Sequence, residues 1–266
     1  MSFLARGLPM PPPSHRLRKA ERHERILMEL KLRSHLRISD LARDFHVATE
    51  TIRRDVAELQ ATGQVTKAFG GVIPVGPGQR PDVDARSRDR QQERAEIARQ
   101  AATLVPPGAT IMLDAGSTTQ ELARRLSLGG TPVTVLTNSL NVAMILGRSD
   151  AATVRLCPGD FLPREAAVIG PDTVDFLRRF HVGRAFIGAS AVSCHGVTEA
   201  VPGFAAVKRA MMAQSDELVV MTDQSKIGRT DCDLVTSFRP GLTLVTDASL
   251  PRELGGAISK GGARVL

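Results

Sequence analysis

The sequence predicts two folded domains, an N-terminal winged helix-turn-helix domain and a larger α/β domain with a largely parallel sheet. Three helical patterns and a β-prone segment follow one another within residues 21–75, and from Thr110 onward short apolar strands alternate with helical patterns. The charge divides in the same way, because residues 1–80 have 14 Lys+Arg and 8 Asp+Glu, whereas residues 81–266 have 21 and 20. The N-terminal part therefore carries nearly all of the net charge of +7.

The most informative helical pattern is the stretch VATETIRRDVAELQATG, residues 47–63. Its buried face is formed by three residues at the i, i+4, i+7 spacing, namely Ile52, Val56 and Leu59. Arg53 and Arg54 then point away from that face. The pattern predicts an amphipathic helix that presents two adjacent arginines to a partner.

Two further helices precede this one, and the first is predicted by the stretch ERHERILMELKLR, residues 21–33. Ser39 is the expected N-cap of a short helix whose buried side includes Leu41 and Phe45. Only three residues, His46 to Ala48, then separate the two helices, which is the length of the turn in a helix-turn-helix motif. Three helices with arginines exposed on the last one are the layout of proteins that place a helix in the major groove of DNA.

The candidates for contact with DNA are Thr49, Thr51, Arg53, Arg54 and Lys67. The two hydroxyl groups lie in the first turn of the helix, within reach of phosphate, and the lysine lies in the β-prone wing. Each arginine can pair with a guanine edge, which discriminates by about 1–3 kcal/mol, or with a phosphate, which adds affinity without sequence information. The sequence leaves open which arginine does which. The alternative is an ordinary solvated helix face, but the basic excess favours DNA.

Composition predicts the domain boundaries. We expect a flexible basic arm at 1–20, the winged helix-turn-helix domain at 21–75, a linker rich in Gly, Pro and charge at 76–92, and the α/β domain at 93–266. No apolar run approaches the roughly 20 residues of a membrane span, and three scattered cysteines indicate free thiols in a reducing compartment. We therefore expect a cytoplasmic, nucleoid-associated protein that needs no membrane, metal or cofactor.

Polar residues collect where the predicted strands of the α/β domain end. They include Asp114, Gly116, Ser117, Thr118, Thr137, Asn138 and Lys226. The carboxyl ends of parallel strands meet at one edge of the sheet, where α/β proteins bind ligands. Small hydroxyl residues and a glycine at a helix N-terminus also present backbone N–H groups to an anion. A single such turn is explained by helix capping, but its repetition after successive strands indicates a site for a phosphorylated polyol.

The run VATETIRRDVAELQATGQVTKAFGGV, residues 47–72, resembles the N-terminal signature of the DeoR-type family of bacterial transcription regulators. The pieces LDAGSTT, TNSL, FIGAS, GVTE, VKRAMM and DQSKIGR resemble the effector domain of the same family, so the resemblance spans nearly the whole chain. It implies a fold related to ribose-5-phosphate isomerase and CoA transferases. It also implies a sugar-phosphate pocket lined by the seven residues above together with Lys208, and by Glu199 as a weaker candidate.

Both lysines have a second interpretation. Lys208 lies in a helical pattern beside Val207 and Met211, which are expected to be buried, so the lysine is explained equally well as a surface residue. Lys226 follows a predicted strand in a Ser-Lys-x-Gly turn, which is a more constrained place and favours the pocket.

The chain departs from the family pattern at four places. Ala48 replaces the serine that caps the recognition helix, a loss of about 1 kcal/mol, although Thr49 is placed to take over the cap. Phe69 replaces the histidine before the glycine pair of the wing. Near the expected pocket, Pro158-Gly159 and Ala191-Val192 replace Gly-Gly and Gly-Ile, so the effector is expected to differ from the commoner ones.

The resemblance implies a regulator rather than an enzyme. Because members of this family are usually repressors, it also implies repression of sugar-metabolism genes. It would bind double-stranded operator DNA, and a phosphorylated sugar would modulate that binding. A helix-turn-helix pair must span one turn of DNA, which implies a homo-oligomer, either a dimer or a tetramer. One alternative is a sugar-phosphate isomerase-like enzyme that carries a DNA-binding module. Its acid/base candidates are Asp114, Glu199, Asp223 and the two lysines. Another is a DNA-binding architectural protein without an effector.

Overall fold

A computed structural model describes residues 17–32, 36–62, 64–68, 71–74, 83–88 and 90–266 of the chain. Contacts within these ranges divide it into two units, residues 1–80 and 81–266. Most of the expected basic arm at 1–20 lies outside the described residues, as do residues 76–82 and 89 of the expected linker at 76–92 and the pair Phe69 and Gly70.

The N-terminal unit has a helix-turn-helix followed by a wing. Its elements are α1 (Lys19–Leu32), β1 (Leu36–Arg37), α2 (Ile38–Asp44), α3 (Thr49–Ala61), β2 (Val65–Ala68) and β3 (Gly71–Pro74). The three strands form an antiparallel sheet in the order β1-β3-β2. Ile26, Ile52 and Val56 are fully buried in the hydrophobic core of this unit, so the aliphatic face predicted for α3 is confirmed.

Two expected helix caps are wrong. Helix α2 begins at Ile38 with Arg37 as its N-cap residue, and Ser39 lies exposed in the first turn. The reason is that Arg37 pairs with Gly71 in the small sheet, which holds its backbone extended and lets the helix begin two residues earlier than expected. Helix α3 has Ala48 as its N-cap, so Thr49 is already inside the helix and does not replace the missing serine.

The C-terminal unit is an α/β sandwich. Its helices are α4 (Val83–Arg88), α5 (Gln91–Ala102), α6 (Ser117–Leu128), α7 (Leu140–Leu146), α8 (Pro171–Leu177), α9 (Pro202–Ala213) and α10 (Arg252–Lys260). Its strands are β4 (Ala109–Leu113), β5 (Val133–Thr137), β6 (Ala152–Leu156), β7 (Asp160–Leu162), β8 (Ala167–Ile169), β9 (Val182–Gly188), β10 (Ala191–Ser193), β11 (Gly196–Glu199), β12 (Ser215–Met221), β13 (Asp233–Thr236), β14 (Leu242–Val245) and β15 (Arg264–Val265). Single 3₁₀ turns occupy Pro163–Glu165 and Gln224–Lys226.

Seven strands form one parallel sheet in the order β15-β14-β12-β9-β4-β5-β6. Strands β10, β11 and β13 form a small antiparallel sheet, and β7 and β8 form a hairpin. The largely parallel α/β sheet expected from the alternating pattern is therefore confirmed.

Side chains alternate between the two faces of this sheet. On one face, Phe186 and Val219 pack with residues of α5, α6 and α7, while on the other Ile187 and Val220 pack with residues of α8, α9 and α10. Burial on both faces explains why the strands are continuous apolar runs rather than alternating ones.

The chain reverses its direction of travel across the sheet at β4. Strands β5 and β6 are added on one side of β4, and β9, β12, β14 and β15 on the other. In open α/β sheets, the crevice between the carboxyl ends of the two strands at such a reversal is where ligands bind. The strand order therefore predicts a ligand site between the carboxyl ends of β4 and β9.

Candidate functional sites

Helix α3 exposes the two arginines singled out above. Arg53 and Arg54 are both exposed, and the Nη1 of Arg53 lies 3.4 Å from Oε2 of Glu50 in a contact between two solvated side chains. Thr49 is exposed and Thr51 is half-buried in the first turn of the same helix. Lys67 lies in β2 of the wing, and its side chain lies outside what the structure describes. The helix is thus presented with its basic side outward.

The aspartate that follows the two arginines is buried and anchors α3 to α1. The Asp55 carboxylate accepts hydrogen bonds from Arg22, Nε at 2.6 Å and Nη2 at 3.0 Å, and lies 3.2 Å from Nε2 of His23. The hydrogen bond to Asp55 raises the pKa of Arg22, against the opposing effect of burial. This cluster was missed by sequence reasoning, because its partners are 33 residues apart and belong to no common periodic pattern.

At the reversal point of the large sheet, Lys208 of α9 lies between two carboxylates. Its Nζ is 3.0 Å from Oδ2 of Asp114 and 2.8 Å from Oε2 of Glu199, and it donates to the carbonyl of Gly188 at 2.8 Å. The amide of Gly188 in turn donates to both oxygens of Asp114 at 3.1 Å. Lys208 is only 3% exposed, so its interpretation as a surface residue is wrong.

The electrostatics of this cluster depend on its burial. Burial acts to lower the pKa of Lys208, but Asp114 and Glu199 outweigh that effect and raise it above its ordinary value. The pKa of Asp114 is also raised, because burial outweighs Lys208 and the amide of Gly188, which act in the opposite direction. Ser190 adds a short hydrogen bond to Glu199. One ammonium therefore holds two buried carboxylates, one after the end of β4 and one at the end of β11, beside the carbonyl that ends β9.

The first turn of α6 follows directly from the end of β4. Gly116 is the N-cap residue, and Ser117, Thr118 and Thr119 are buried. The hydroxyl of Thr119 donates to the carbonyls of Asp114 and Gly116 at 3.0 Å. The first amides of any α-helix have no partner inside the helix, and here they carry the positive end of the α6 dipole.

The turn after β5 is entirely buried. Oγ1 of Thr137 accepts a hydrogen bond from the amide of Ser139 at 3.0 Å, and Nδ2 of Asn138 donates to the carbonyl of Val168 at 2.9 Å. The hydroxyl of Ser139 caps α7 by accepting from the amide of Val142. Within the described residues, Oδ1 of Asn138 is buried and has no hydrogen-bond partner.

The turn after β12 contains Asp223 and Lys226. Burial alone would raise the pKa of Asp223, but hydrogen bonds from Ser225 together with Arg94 and Lys226 outweigh it and lower the pKa. Nη2 of Arg94 lies 3.3 Å from Oδ2 of Asp223, and Arg94 is 5% exposed. Lys226 itself is half-buried in the 3₁₀ turn. Sequence reasoning missed Arg94, which sits in a helical segment with charged residues on either side.

The structure thus brings Asp114 and Lys208 into contact and places the turn of Gly116, Ser117 and Thr118 directly after Asp114. Thr137 and Asn138 lie one strand further, at the end of β5, while Lys226 lies beyond β9, after β12. All of these turns follow the carboxyl ends of parallel strands. In the part of the chain that the structure describes, no group of His, Cys, Asp and Glu side chains could hold a metal ion. Every helix found there is too short or too polar to span a lipid bilayer.

Comparisons with known proteins cover both units. Residues 22–75 match the model of the DeoR-like helix-turn-helix domain, and residues 89–248 match the model of the DeoR C-terminal sensor domain. A putative aga operon transcriptional repressor of Escherichia coli O157:H7 is 27% identical over 251 residues, which is 93% of each chain. The glycerol-3-phosphate regulon repressor of Escherichia coli K12 is 29% identical over 237 residues, 88% of this chain and 93% of the other.

Among solved structures, ribose 5-phosphate isomerase A from Methanocaldococcus jannaschii is 20% identical, with a TM-score of 0.39. That comparison covers 52% of this chain and 55% of the isomerase.

Proposed function

The chain belongs to the DeoR family of transcription regulators, and we propose that a phosphorylated sugar or polyol, bound at the carboxyl edge of its seven-stranded sheet, modulates its binding to operator DNA. As a member of this family it is a DNA-binding regulator. Its relatives include named repressors of an aga operon and of a glycerol-3-phosphate regulon, which supports repression of sugar-metabolism genes. We place it in the cytoplasm, where such DNA is found.

The observation that carries the proposal is the group of helix amides and buried charged side chains at the carboxyl ends of β4 and β9, where the strand order predicts a crevice. One wall is the N-terminus of α6, whose amides near Gly116, Ser117 and Thr118 suit a phosphate group. The floor is the cluster of Asp114, Glu199 and Lys208, whose two carboxylates face one ammonium. The cluster offers more carboxyl oxygens than the one ammonium engages, so it suits the hydroxyl groups of a polyol, and Lys208 orients the carboxyl groups. We assign Thr137, Asn138 and Lys226 to the remaining sides.

For DNA we assign Arg53 and Arg54 to the major groove, Thr49 and Thr51 to neighbouring phosphates, and Lys67 to the wing contact. The domain boundaries we propose are 21–75 for the DNA-binding domain and 93–266 for the effector domain, with an arm before and a linker between them. A homodimer or tetramer is required to place two α3 helices about 34 Å apart on one face of the operator.

The alternative of an isomerase receives less support from the same geometry. An acid/base catalyst needs a carboxylate that exchanges protons with the substrate, whereas Asp114 and Glu199 are held by Lys208. We therefore propose that the crevice binds without catalysis. An aldose–ketose assay with ribose 5-phosphate and fructose 6-phosphate tests this, and turnover above the uncatalysed rate would contradict it.

Operator binding with and without sugar phosphates tests the main proposal. DNA from upstream of the protein's own gene is labelled, and its fluorescence anisotropy is titrated with protein at fixed salt, alone and with a panel of phosphorylated sugars and polyols. We expect one compound to change the affinity about 5–150-fold, the usual range of allosteric coupling. Tight binding that no compound alters would contradict the effector site and leave the DNA-binding role intact.

A further inference from the structure

The segment that leads into the α/β sheet is attached to the same carboxyl edge. Oγ of Ser87 in α4 lies 3.2 Å from Oε1 of Gln120 in α6. Arg86 of α4 forms a close ion pair with Glu165, which follows the β7 strand. Arg94 of α5 donates a short hydrogen bond to the carbonyl of Arg86. Helix α4 is thus held by contacts to three different elements.

Arg94 connects this attachment to the turn that contains Lys226. The guanidinium that holds the carbonyl of Arg86 through Nη1 also reaches Oδ2 of Asp223 through Nη2, at 3.3 Å. A contact of 3.3 Å is long for a charge-assisted hydrogen bond, which is ordinarily about 2.7–2.9 Å. Nε of Arg90 lies 4.0 Å from the same carboxylate. Arg94 and Arg90 are therefore only weakly bound by Asp223, so an anion that binds guanidinium groups more strongly can replace the carboxylate as their partner.

These contacts bridge the crevice at the reversal point. Gln120 belongs to the first turns of α6, after β4, and Asp223 follows β12, with β9 between the two strands in the sheet. A segment in contact with both Gln120 and Asp223 lies across the carboxyl ends of all three strands.

Unsatisfied polar atoms mark the same edge. Within the described residues, six buried side-chain atoms have no hydrogen-bond partner, and three of them belong to this edge: Nε2 of Gln120, Oδ1 of Asn138 and Oγ1 of Thr222. Buried polar atoms are nearly always paired, so three of them around one crevice point to a polar ligand that satisfies them. Two of them, Asn138 and Thr222, lie outside the N-terminus of α6.

We propose that Arg94 binds the phosphate group of the effector and, in doing so, releases α4. A phosphate monoester carries a charge of about −1.5 to −2 and accepts two parallel hydrogen bonds from a guanidinium. It is therefore a stronger partner than Asp223, whose carboxylate keeps its hydrogen bonds from Ser225. When the guanidinium turns to the ligand, α4 loses its contact through the carbonyl of Arg86.

Release of α4 can affect the DNA-binding unit because α4 follows that unit closely in the chain. Only residues 75–82 separate the end of β3, in the DNA-binding unit, from the first residue of α4. Between α4 and α5, Arg90 has φ 49° and ψ 43°, a left-handed conformation that is unfavourable for a residue with a side chain. Releasing α4 lets this residue relax, which lowers the free-energy cost of the released state. The ligand binds more tightly to that state because Arg94 then no longer holds the carbonyl of Arg86. That difference in affinity is what a regulator requires.

The proposal rests on the proposed function and is tested by hydrogen exchange of the full chain. Exchange of the amides in α4 is measured without ligand and with glycerol 3-phosphate, ribose 5-phosphate, fructose 6-phosphate or inorganic phosphate. Melting temperatures measured in parallel identify the compounds that bind. We expect a compound that raises the melting temperature to speed exchange in α4 at least about fivefold, the lower end of ordinary couplings.

Three variants separate ligand binding from release of the helix. Arg94→Gln is expected to weaken binding of that compound about tenfold or more, to exchange rapidly in α4 without ligand, and to bind operator DNA without responding to the compound. Glu165→Gln frees α4 but leaves Arg94 in place, so it is expected to exchange rapidly and yet bind the compound at least as tightly as the wild type. Arg99→Gln is the matched control, because Arg99 lies on the same helix and pairs with Glu96 on its exposed face.

The outcomes distinguish the two proposals. A compound that raises the melting temperature and alters operator binding but leaves exchange in α4 unchanged or slower would uphold the proposed function and overturn the role of α4. Undiminished affinity of Arg94→Gln for that compound would overturn the role of Arg94. If no compound of the panel binds, the proposed function fails, and the role of Arg94 fails with it.

Discussion

The ammonium of Lys208 lies 3.0 Å from the carboxylate of Asp114, and this contact ties α9 to the carboxyl end of β4. Glu199 approaches the same ammonium at 2.8 Å from the other side. All three side chains are buried, so removing any one of them leaves charge that water does not reach. The carboxyl end of β4 is therefore built on a cluster whose parts depend on one another.

Replacing this lysine is expected to destabilise the C-terminal unit strongly. Lys208→Met leaves two buried carboxylates without a cation, which costs about 3–5 kcal/mol in comparable cases. The free energy of unfolding in urea near neutral pH measures it. Arg209→Met is the matched control, because the neighbouring Arg209 pairs with Asp233 at the surface and is expected to cost less than about 1 kcal/mol. Equal effects of the two substitutions would contradict the assignment.

The ion pair between Lys208 and Asp114 predicts that the free energy of unfolding of the C-terminal unit decreases at high pH. The folded-state pKa of Lys208 is raised above its ordinary value of 10.5, so its contribution is fully present below about pH 10.5 and is lost as the pH rises through the folded-state pKa. The difference in unfolding free energy between wild type and Lys208→Met is therefore expected to be larger at about pH 9 than at about pH 11.5. Measuring the difference cancels the titration of the other lysines. A difference that grows with pH would contradict the sign.

Removing the buried carboxylate of the DNA-binding unit is expected to loosen α3. Asp55→Ala leaves the largely buried guanidinium of Arg22 without its partner, at a cost of about 3 kcal/mol. Hydrogen exchange of the α3 amides measures the local opening free energy. Glu50→Ala, which breaks the exposed contact with Arg53, is expected to change it by less than about 1 kcal/mol. If Asp55→Ala exchanges as slowly as Glu50→Ala, the anchoring role is wrong.

Replacing both exposed arginines of α3 is expected to abolish operator recognition and leave the fold intact. The double variant Arg53→Ala with Arg54→Ala should bind operator and random DNA equally, because base contacts carry the discrimination. Anisotropy titrations with the two DNAs at one salt concentration measure this. Arg178→Ala with Arg179→Ala removes an adjacent exposed pair from the other unit and should retain the preference. A double α3 variant that still prefers its operator would refute the assignment.

The three cysteines are expected to differ in reactivity. Burial raises the pKa of Cys157 to about 12, whereas Cys194 and Cys232 are exposed. The thiolate is the reactive form, so at about pH 8 a disulfide reagent should label two thiols quickly and the third only after unfolding. Cys157→Ala should remove the slow phase and leave the fast one. Three fast thiols in the folded wild type would show that Cys157 is accessible.

The sequence by itself determined the features that depend on residues close together in the chain. Ile52, Val56 and Leu59 are buried while Arg53 and Arg54 are exposed, as their spacing predicts, because a helix repeats every 3.6 residues whatever it packs against. The turns after β4, β5 and β12 were equally predictable, because small polar residues follow each apolar run in the sequence. Parallel strands then bring the ends of these runs to one edge of the sheet.

Only the tertiary structure decided which charged groups meet. Lys208 lies in a helix whose residues on several sides are buried, so the local pattern cannot show whether the lysine points outward or into the sheet. Asp55 with Arg22 and Arg94 with Asp223 are pairs 33 and 129 residues apart, brought together by packing between elements. The N-cap of α2 is Arg37 rather than Ser39, because pairing with Gly71 holds the backbone of Arg37 extended. Buried polar pairs are selected by the packing of distant elements, which no local period records.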